Sequence, residues 1–148
     1  MRIFMFYLLT ASLVLTLSFT GCKPGGGTYE DVKDLVSDAK TRIKSVSVQD
    51  FAAVMDKGAD FKLIDCREPN EFKDGHIPGA INIPRGLLEF SIAKAIPDKA
   101  AKIYIYCKSG GRSTLSTESL KKLKYTDVTS IDGGWEGWMK AYPKKIQK

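Results

Sequence analysis

A central, mainly parallel sheet flanked by helices, the α/β class, is the fold this sequence predicts, and three observations predict it. Short apolar, β-branched runs alternate with stretches of helical periodicity along the chain. The 148 residues, 43% hydrophobic and 27% charged, suit one domain with its own core and exclude a disordered or low-complexity protein. A cysteine closes one apolar run and is followed at once by a glycine-containing loop and a helix. That is the order in which such sheets present ligand sites beyond the carboxyl ends of their strands.

The first elements lie outside this fold. Met1-Arg2 precedes an uncharged stretch, residues 3–21, whose apolar centre is residues 8–17, the layout of a secretory signal peptide. The stretch is also long enough to span a membrane as an uncleaved anchor. Ser18-Phe19-Thr20-Gly21-Cys22 resembles a bacterial lipobox, which implies lipid on Cys22, a mature chain starting there, and a domain held by that lipid in the cell envelope, facing the periplasm or exterior. Residues 22–30, with Lys23-Pro24-Gly25-Gly26-Gly27, have the composition of a flexible tether.

An N-terminal helix is expected over residues 31–43, with Thr28 as a cap and Val32, Leu35, Val36, Ala39 and Ile43 at helical spacing. The main domain then occupies residues 44–145. Ser47 caps a second helix bearing Phe51, Val54 and Met55, closed by Gly58. Residues 61–66 form a buried strand, and turns are expected at Pro69-Asn70-Glu71-Phe72 and at His76-Ile77-Pro78-Gly79. Residues 80–83 form a short strand stopped by Pro84, residues 86–94 a helix and residues 102–106 a strand ending at Cys107. Residues 113–123 read as a helix burying Leu115, Leu120 and Leu123, residues 128–131 as the last strand, and Trp135 and Trp138 ride on a final short helix.

Three cysteines, at 22, 66 and 107, are too few and too scattered for a disulfide framework or a four-ligand zinc site, and no metal or cofactor is expected. The net charge of +6 is concentrated in residues 99–148, which carry 11 cationic and 4 acidic side chains. Aromatic and basic residues are not interleaved on one face, so no nucleic-acid partner is expected. A monomeric domain is the expected state.

The chemistry lies in Cys107-Lys108-Ser109-Gly110-Gly111-Arg112-Ser113. Gly110 and Gly111 can take positive φ and let backbone N–H groups converge on one point. A helix starting near Ser113 aims its unpaired N–H groups and positive end at the same point. Lys108 and Arg112 add charge. A cysteine in such a cradle has its thiol pKa lowered from about 8.5 toward roughly 3.5–7.5, which makes it a nucleophile.

These residues resemble the active-site loop of the rhodanese (sulfurtransferase) family. Asp65-Cys66-Arg67-Glu68-Pro69, then Glu71-Phe72, then Gly75-His76-Ile77-Pro78-Gly79-Ala80-Ile81-Asn82-Ile83-Pro84 resemble its upstream signature, and Asp132-Gly133-Gly134-Trp135 with Trp138 its closing segment. The similarity spans residues 44–143 and implies a single rhodanese-like domain with a five-stranded, mainly parallel sheet. Two positions depart from it: Cys66 stands where the family usually has Val, and Lys124 where a glycine commonly precedes the aromatic at Tyr125.

Cysteine phosphatases also cradle an anion, with five residues between Cys and Arg; here four residues separate Cys107 from Arg112, a smaller ring suited to a sulfane sulfur. The expected reaction is a ping-pong transfer through a Cys107 persulfide, from thiosulfate or a similar small sulfur-containing anion to cyanide or a thiol. The loop N–H groups would stabilise the outer sulfur, with Arg112 and Lys108 holding donor oxygens. A persulfide carrier without turnover needs the same loop and remains open, as does a thiol redox protein using Cys66 and Cys107.

Asp65 and Arg67 can pair across the base of the loop, either to support the cradle or as a plain structural ion pair. His76, in its Gly-His-Ile-Pro-Gly turn, reads as structural, and Trp135 and Trp138 as packing. Cys66 reads first as a small buried hydrophobe. Its strand should lie beside the one ending in Cys107, however, and a disulfide, or resolution of a persulfide by Cys66, requires Cα atoms within about 7 Å.

Overall fold

The computed structural model describes residues 27–148, so the signal-like segment, Cys22 and nearly all of the tether lie outside the described residues. Five parallel strands form one sheet in the order β1-β5-β4-β2-β3: β1 (Lys44–Val46), β2 (Lys62–Asp65), β3 (Ala80–Asn82), β4 (Lys102–Tyr106) and β5 (Asp127–Ile131). Parallel neighbours need crossovers, and helices supply them: α2 (Val48–Asp56), α3 (Pro69–Asp74), α4 (Leu88–Ala95) and α5 (Gly111–Lys122), with α1 (Val32–Lys40) before the sheet and α6 (Gly134–Ala141) after it.

β2 and β4 are buried on both faces, which is why they read as short apolar runs rather than alternations, whereas β5, equally buried, includes Thr129 and Ser130. Ile64, Cys66, Ile103, Ile105, Cys107 and Val128 point to one face and pack on Leu88 and Ile92 of α4, Leu120 of α5, and Tyr125. Leu63, Tyr104, Tyr106 and Ile131 point to the other face, against Val48, Phe51 and Ala52 of α2 and Trp138 of α6. The Phe51 ring packs against Phe61, Tyr104 and Trp138 at centroid distances of 5.5, 4.9 and 6.0 Å.

Five differences from the sequence reading have physical causes. β1 carries no sequence signal: at three residues, Lys-Ser-Val, it is an edge strand with two exposed positions and no apolar run to mark it. α1 starts at Val32 with Asp31 as its N-cap, the Asp31 carboxylate accepting from the Lys33 amide; Thr28 lies before the helix. Segment 69–72 is the start of α3 rather than a turn. Pro69 sits in the first helical turn, where its missing N–H costs nothing, and Glu68 and Glu71 form a reciprocal cap. α5 begins two residues early, at Gly111, and its buried face is Ser113, Thr114, Ser116, Thr117 and Leu120, while Leu115 and Leu123 are only half-buried. Small hydroxyl side chains let this helix approach the strand ends closely; Ser113 Oγ donates to the Gly110 carbonyl at 2.9 Å and accepts from Ser130 Oγ at 3.0 Å. The predicted helix over 86–94 opens as a 3-10 turn, Arg85–Leu87, before α4.

α5 ends in a Schellman-type closure, the Lys124 amide donating to the Lys121 carbonyl and the Tyr125 amide to Leu120, both at 3.0 Å. That closure holds Lys124 at φ 68, the one non-glycine residue with positive φ among the described residues. A side chain there costs about 1 kcal/mol relative to glycine. Lys124→Gly is therefore expected to stabilise the domain by about 1 kcal/mol, seen as a rise of a few degrees in Tm with activity unchanged; no rise would mean the strain is relieved elsewhere.

Candidate active site

Cys107 follows the last residue of β4, and Gly110 takes φ 112 so that the chain can turn straight into α5 at Gly111. The Gly110 amide donates to Cys107 Sγ at 3.2 Å. The Cys66 thiol, next after the end of β2, and the Ser113 amide act on the same sulfur. Cys107 is 1% exposed. Its thiol is nevertheless lowered from 9.0 to about 5: the Cys66 hydrogen bond contributes most, and with the Ser113 and Gly110 amides it outweighs burial. Cys66 is pushed well up, because it supplies the proton in that bond and is buried.

Cys107 is accordingly a thiolate at neutral pH and its nucleophilicity should rise with pH through about 5 and be flat above 7. Ultraviolet titration is expected to count one thiolate with a midpoint near 5. A first midpoint at 8 or above would show an ordinary thiol.

The loop is gripped from behind by α6. The Trp135 amide donates to the Cys107 carbonyl at 2.8 Å and the Glu136 amide to the Lys108 carbonyl at 3.0 Å. Gly133 and Gly134 make this possible with φ 80 and 54. A Cβ on Gly134 would lie 2.3 Å from the Cys107 carbonyl oxygen. This contact was not foreseen in the sequence. Its signal was the Asp132-Gly133-Gly134-Trp135 motif, since two adjacent glycines opening a helix mark a close backbone approach.

The two cations expected to face the sulfur are engaged elsewhere. Arg112 makes a bidentate pair with Glu71 of α3 at 3.0 and 3.2 Å, with Glu68 at 4.0 Å, while staying within Coulombic reach of Cys107. Lys108 is exposed, 3.8 Å from Glu136, and Ser109 is exposed at the loop tip.

Asp65 and Arg67 do pair, through buried side chains at 2.6 Å, but on the opposite face of the sheet from Cys107. The guanidinium lies 4.6 Å from the Trp135 ring centroid and donates to the Gly75 carbonyl at 2.7 Å. Its link to the loop therefore runs through Trp135. His76 donates from Nδ1 to the Phe72 carbonyl at 3.0 Å, stacks on the Phe72 ring and bridges to Gln147, so its role is structural. Trp138 is core, its indole N–H donating to the Lys145 carbonyl at 2.7 Å.

A cleft of about 560 Å³ opens beside the loop, between α1 and α5, lined by Val32, Val36, Lys40, Ser109, Arg112 and Leu115 among others. Among the described residues no cluster of three or more His, Cys, Asp or Glu could hold a metal ion.

Residues 47–141 match the family model for the rhodanese-like domain. The chain is 39% identical over 70 residues to thiosulfate sulfurtransferase PspE of Escherichia coli, covering 47% of this chain and 67% of that one. It is 32% identical over 107 residues to thiosulfate sulfurtransferase GlpE of Pseudoalteromonas translucida, covering 71% and 97%. Among solved structures, the Rhodopseudomonas palustris protein RPA3614, of unknown function and described as a possible tyrosine phosphatase, superposes with TM-score 0.71 at 28% identity over 78% of this chain and 94% of that one.

Proposed function

The chain belongs to the rhodanese-like domain family, and from that premise we propose that it is a sulfurtransferase working through a Cys107 persulfide. The observation that carries the reading is a buried cysteine between a central strand and a helix N-terminus, its sulfur accepting from the Gly110 amide at 3.2 Å.

Cys107 thiolate attacks the outer sulfur of thiosulfate or a similar sulfane donor. The donor S–S bond breaks, sulfite leaves with the bonding pair, and Cys107 holds the outer sulfur as a persulfide anion, with total charge unchanged. N–H groups that held the thiolate are placed to stabilise this anion too. Cyanide or a thiolate then attacks the outer sulfur and Cys107 thiolate returns. Neither step needs a general base, which fits a histidine committed to Phe72. Arg112 assists by exchanging Glu71 for the donor's sulfonate oxygens, an exchange that its position at the cleft edge allows. Four residues between Cys107 and Arg112 form a ring too small for a tetrahedral phosphate, which separates this reading from the phosphatase description of the Rhodopseudomonas protein.

The test is intact-protein mass after incubation with labelled thiosulfate, with sulfite measured alongside. Stoichiometric sulfite and protein-bound label at Cys107, released as thiocyanate by cyanide, support the transfer. No sulfite would remove it, and labelling without steady-state turnover would make the domain a carrier. We further propose that the mature chain starts at Cys22 and is held by lipid in a bacterial envelope. Cys22→Ala is then expected to abolish incorporation of labelled fatty acid and to leave residues 1–21 uncleaved, both read by intact-protein mass.

A further inference from the structure

Cys66 is a second free thiol, buried in the same cluster as the reactive one. Asp65 and Tyr106 are register partners in β2 and β4, and the Cys66 amide donates to the Tyr106 carbonyl at 2.9 Å, so the next residue on each strand, Cys66 and Cys107, is also side by side. Adjacent strands lie about 4.8 Å apart. That spacing falls inside the 4.4–6.8 Å Cα range that a disulfide spans without backbone movement. Both side chains point to the same face and belong to one buried cluster, and both are free thiols.

We infer that Cys66 is a resolving thiol: it attacks Sγ of the Cys107 persulfide, expels the transferred sulfur as hydrosulfide and leaves a Cys66–Cys107 disulfide, which an external dithiol reduces. The inference rests on the persulfide reading above. The bond between Sγ of Cys107 and the outer sulfur breaks, the new bond joins Sγ of Cys66 to Sγ of Cys107, and the outer sulfur leaves with the bonding pair and the Cys66 proton as HS⁻. The sulfane sulfur is reduced to sulfide while two thiols are oxidised to one disulfide. The dithiol acceptor then becomes a disulfide and restores both cysteines.

Three features favour this step over attack by an external thiol. The two thiols sit side by side at the ends of paired strands on one buried face, so they meet at high effective concentration. Cys107 is 1% exposed, which hinders bulky acceptors. The Ser116 hydroxyl is fully buried beside Cys66 and acts on it in the sense that favours its thiolate.

The experiment compares the wild-type chain with Cys66→Ser and Cys66→Val after one addition of thiosulfate, without cyanide or added thiol. Serine keeps a hydroxyl donor toward Cys107 but cannot form the disulfide; valine removes both the donor and the thiol at similar size. Wild type is expected to release one hydrosulfide per chain and to yield, on peptide mapping, a Cys66–Cys107 bridge that is absent before thiosulfate is added. Cys66→Val, which lacks a donor toward Cys107, is expected to load sulfur more slowly than Cys66→Ser, and either variant, once loaded, is expected to keep a stable persulfide and release no hydrosulfide. A wild type that keeps its persulfide as long as the variants do would overturn the resolving role alone. No added sulfur and no sulfite in any of the three proteins would overturn the persulfide reading, and this step with it.

Discussion

Cys107→Ser is expected to lower thiosulfate-dependent sulfur transfer by about 10³-fold or more, with the fold retained. Two independent losses combine in this substitution. At pH 7 the Cys107 thiol, titrating at about 5, is almost wholly thiolate, whereas a serine hydroxyl in the same cradle is almost wholly protonated. Serine also offers no sulfur to form the persulfide, so the intermediate itself is lost along with the nucleophile. The cradle should survive, because Gly110 and Ser113 amides can donate to an oxygen much as to sulfur, and the loop's other anchors come from α6. Circular dichroism and Tm close to wild type, with cyanide-dependent thiocyanate production at background, is the expected pair of results. Retention of more than a tenth of the activity would place the sulfur on another group, and Cys66 is the neighbour to examine first.

The loop was legible because its chemistry is local. A cysteine at a strand end, glycines that permit a tight turn, and a helix start all lie within seven residues, and their geometry follows from short-range backbone rules. The parallel sheet was legible for a similar reason, since buried strands such as Lys102–Tyr106 declare themselves as apolar runs. What stayed hidden depends on tertiary contact. β1 forms a strand only because Lys44, Ser45 and Val46 find Thr129, Ser130 and Ile131 beside them. α5 buries serines and threonines against strand ends, a pattern that hydrophobic periodicity cannot detect.

The cations illustrate the same limit. Lys108 and Arg112 flank the thiol in sequence, yet the carboxylates of Glu136 and Glu71 arrive from other helices and draw both side chains aside. The depressed Cys107 thiol consequently owes most to the Cys66 thiol and the backbone amides rather than to the two cations.

Gly134→Ala is expected to be the most damaging single methyl group in the domain. The added Cβ would sit 2.3 Å from the Cys107 carbonyl oxygen, 2.9 Å from that of Lys108 and 3.0 Å from its carbonyl carbon. All three are backbone atoms, so no side chain can rotate away. Ordinary carbon–oxygen contact is about 3.3 Å, so the loop and the start of α6 must separate by roughly 1 Å. That shift breaks or weakens the bonds from Trp135 to Cys107 and from Glu136 to Lys108. Each lost hydrogen bond costs about 1 kcal/mol, and alanine at φ 54 adds about 1–2 kcal/mol, for a loss of roughly 3–4 kcal/mol and a fall in Tm of about 10 °C or more. Catalysis should suffer separately, by about 10²-fold in kcat, because the amides aimed at the sulfur move with the displaced carbonyls. Gly133→Ala isolates the strain from the clash. Gly133 has φ 80, but its Cβ would meet nothing nearer than Gly137 Cα at 3.6 Å, so it should lose only about 1–2 kcal/mol and keep a near-normal kcat. Equal losses for the two variants, in unfolding and in thiocyanate assays, would mean that the α6 contact does not position the loop.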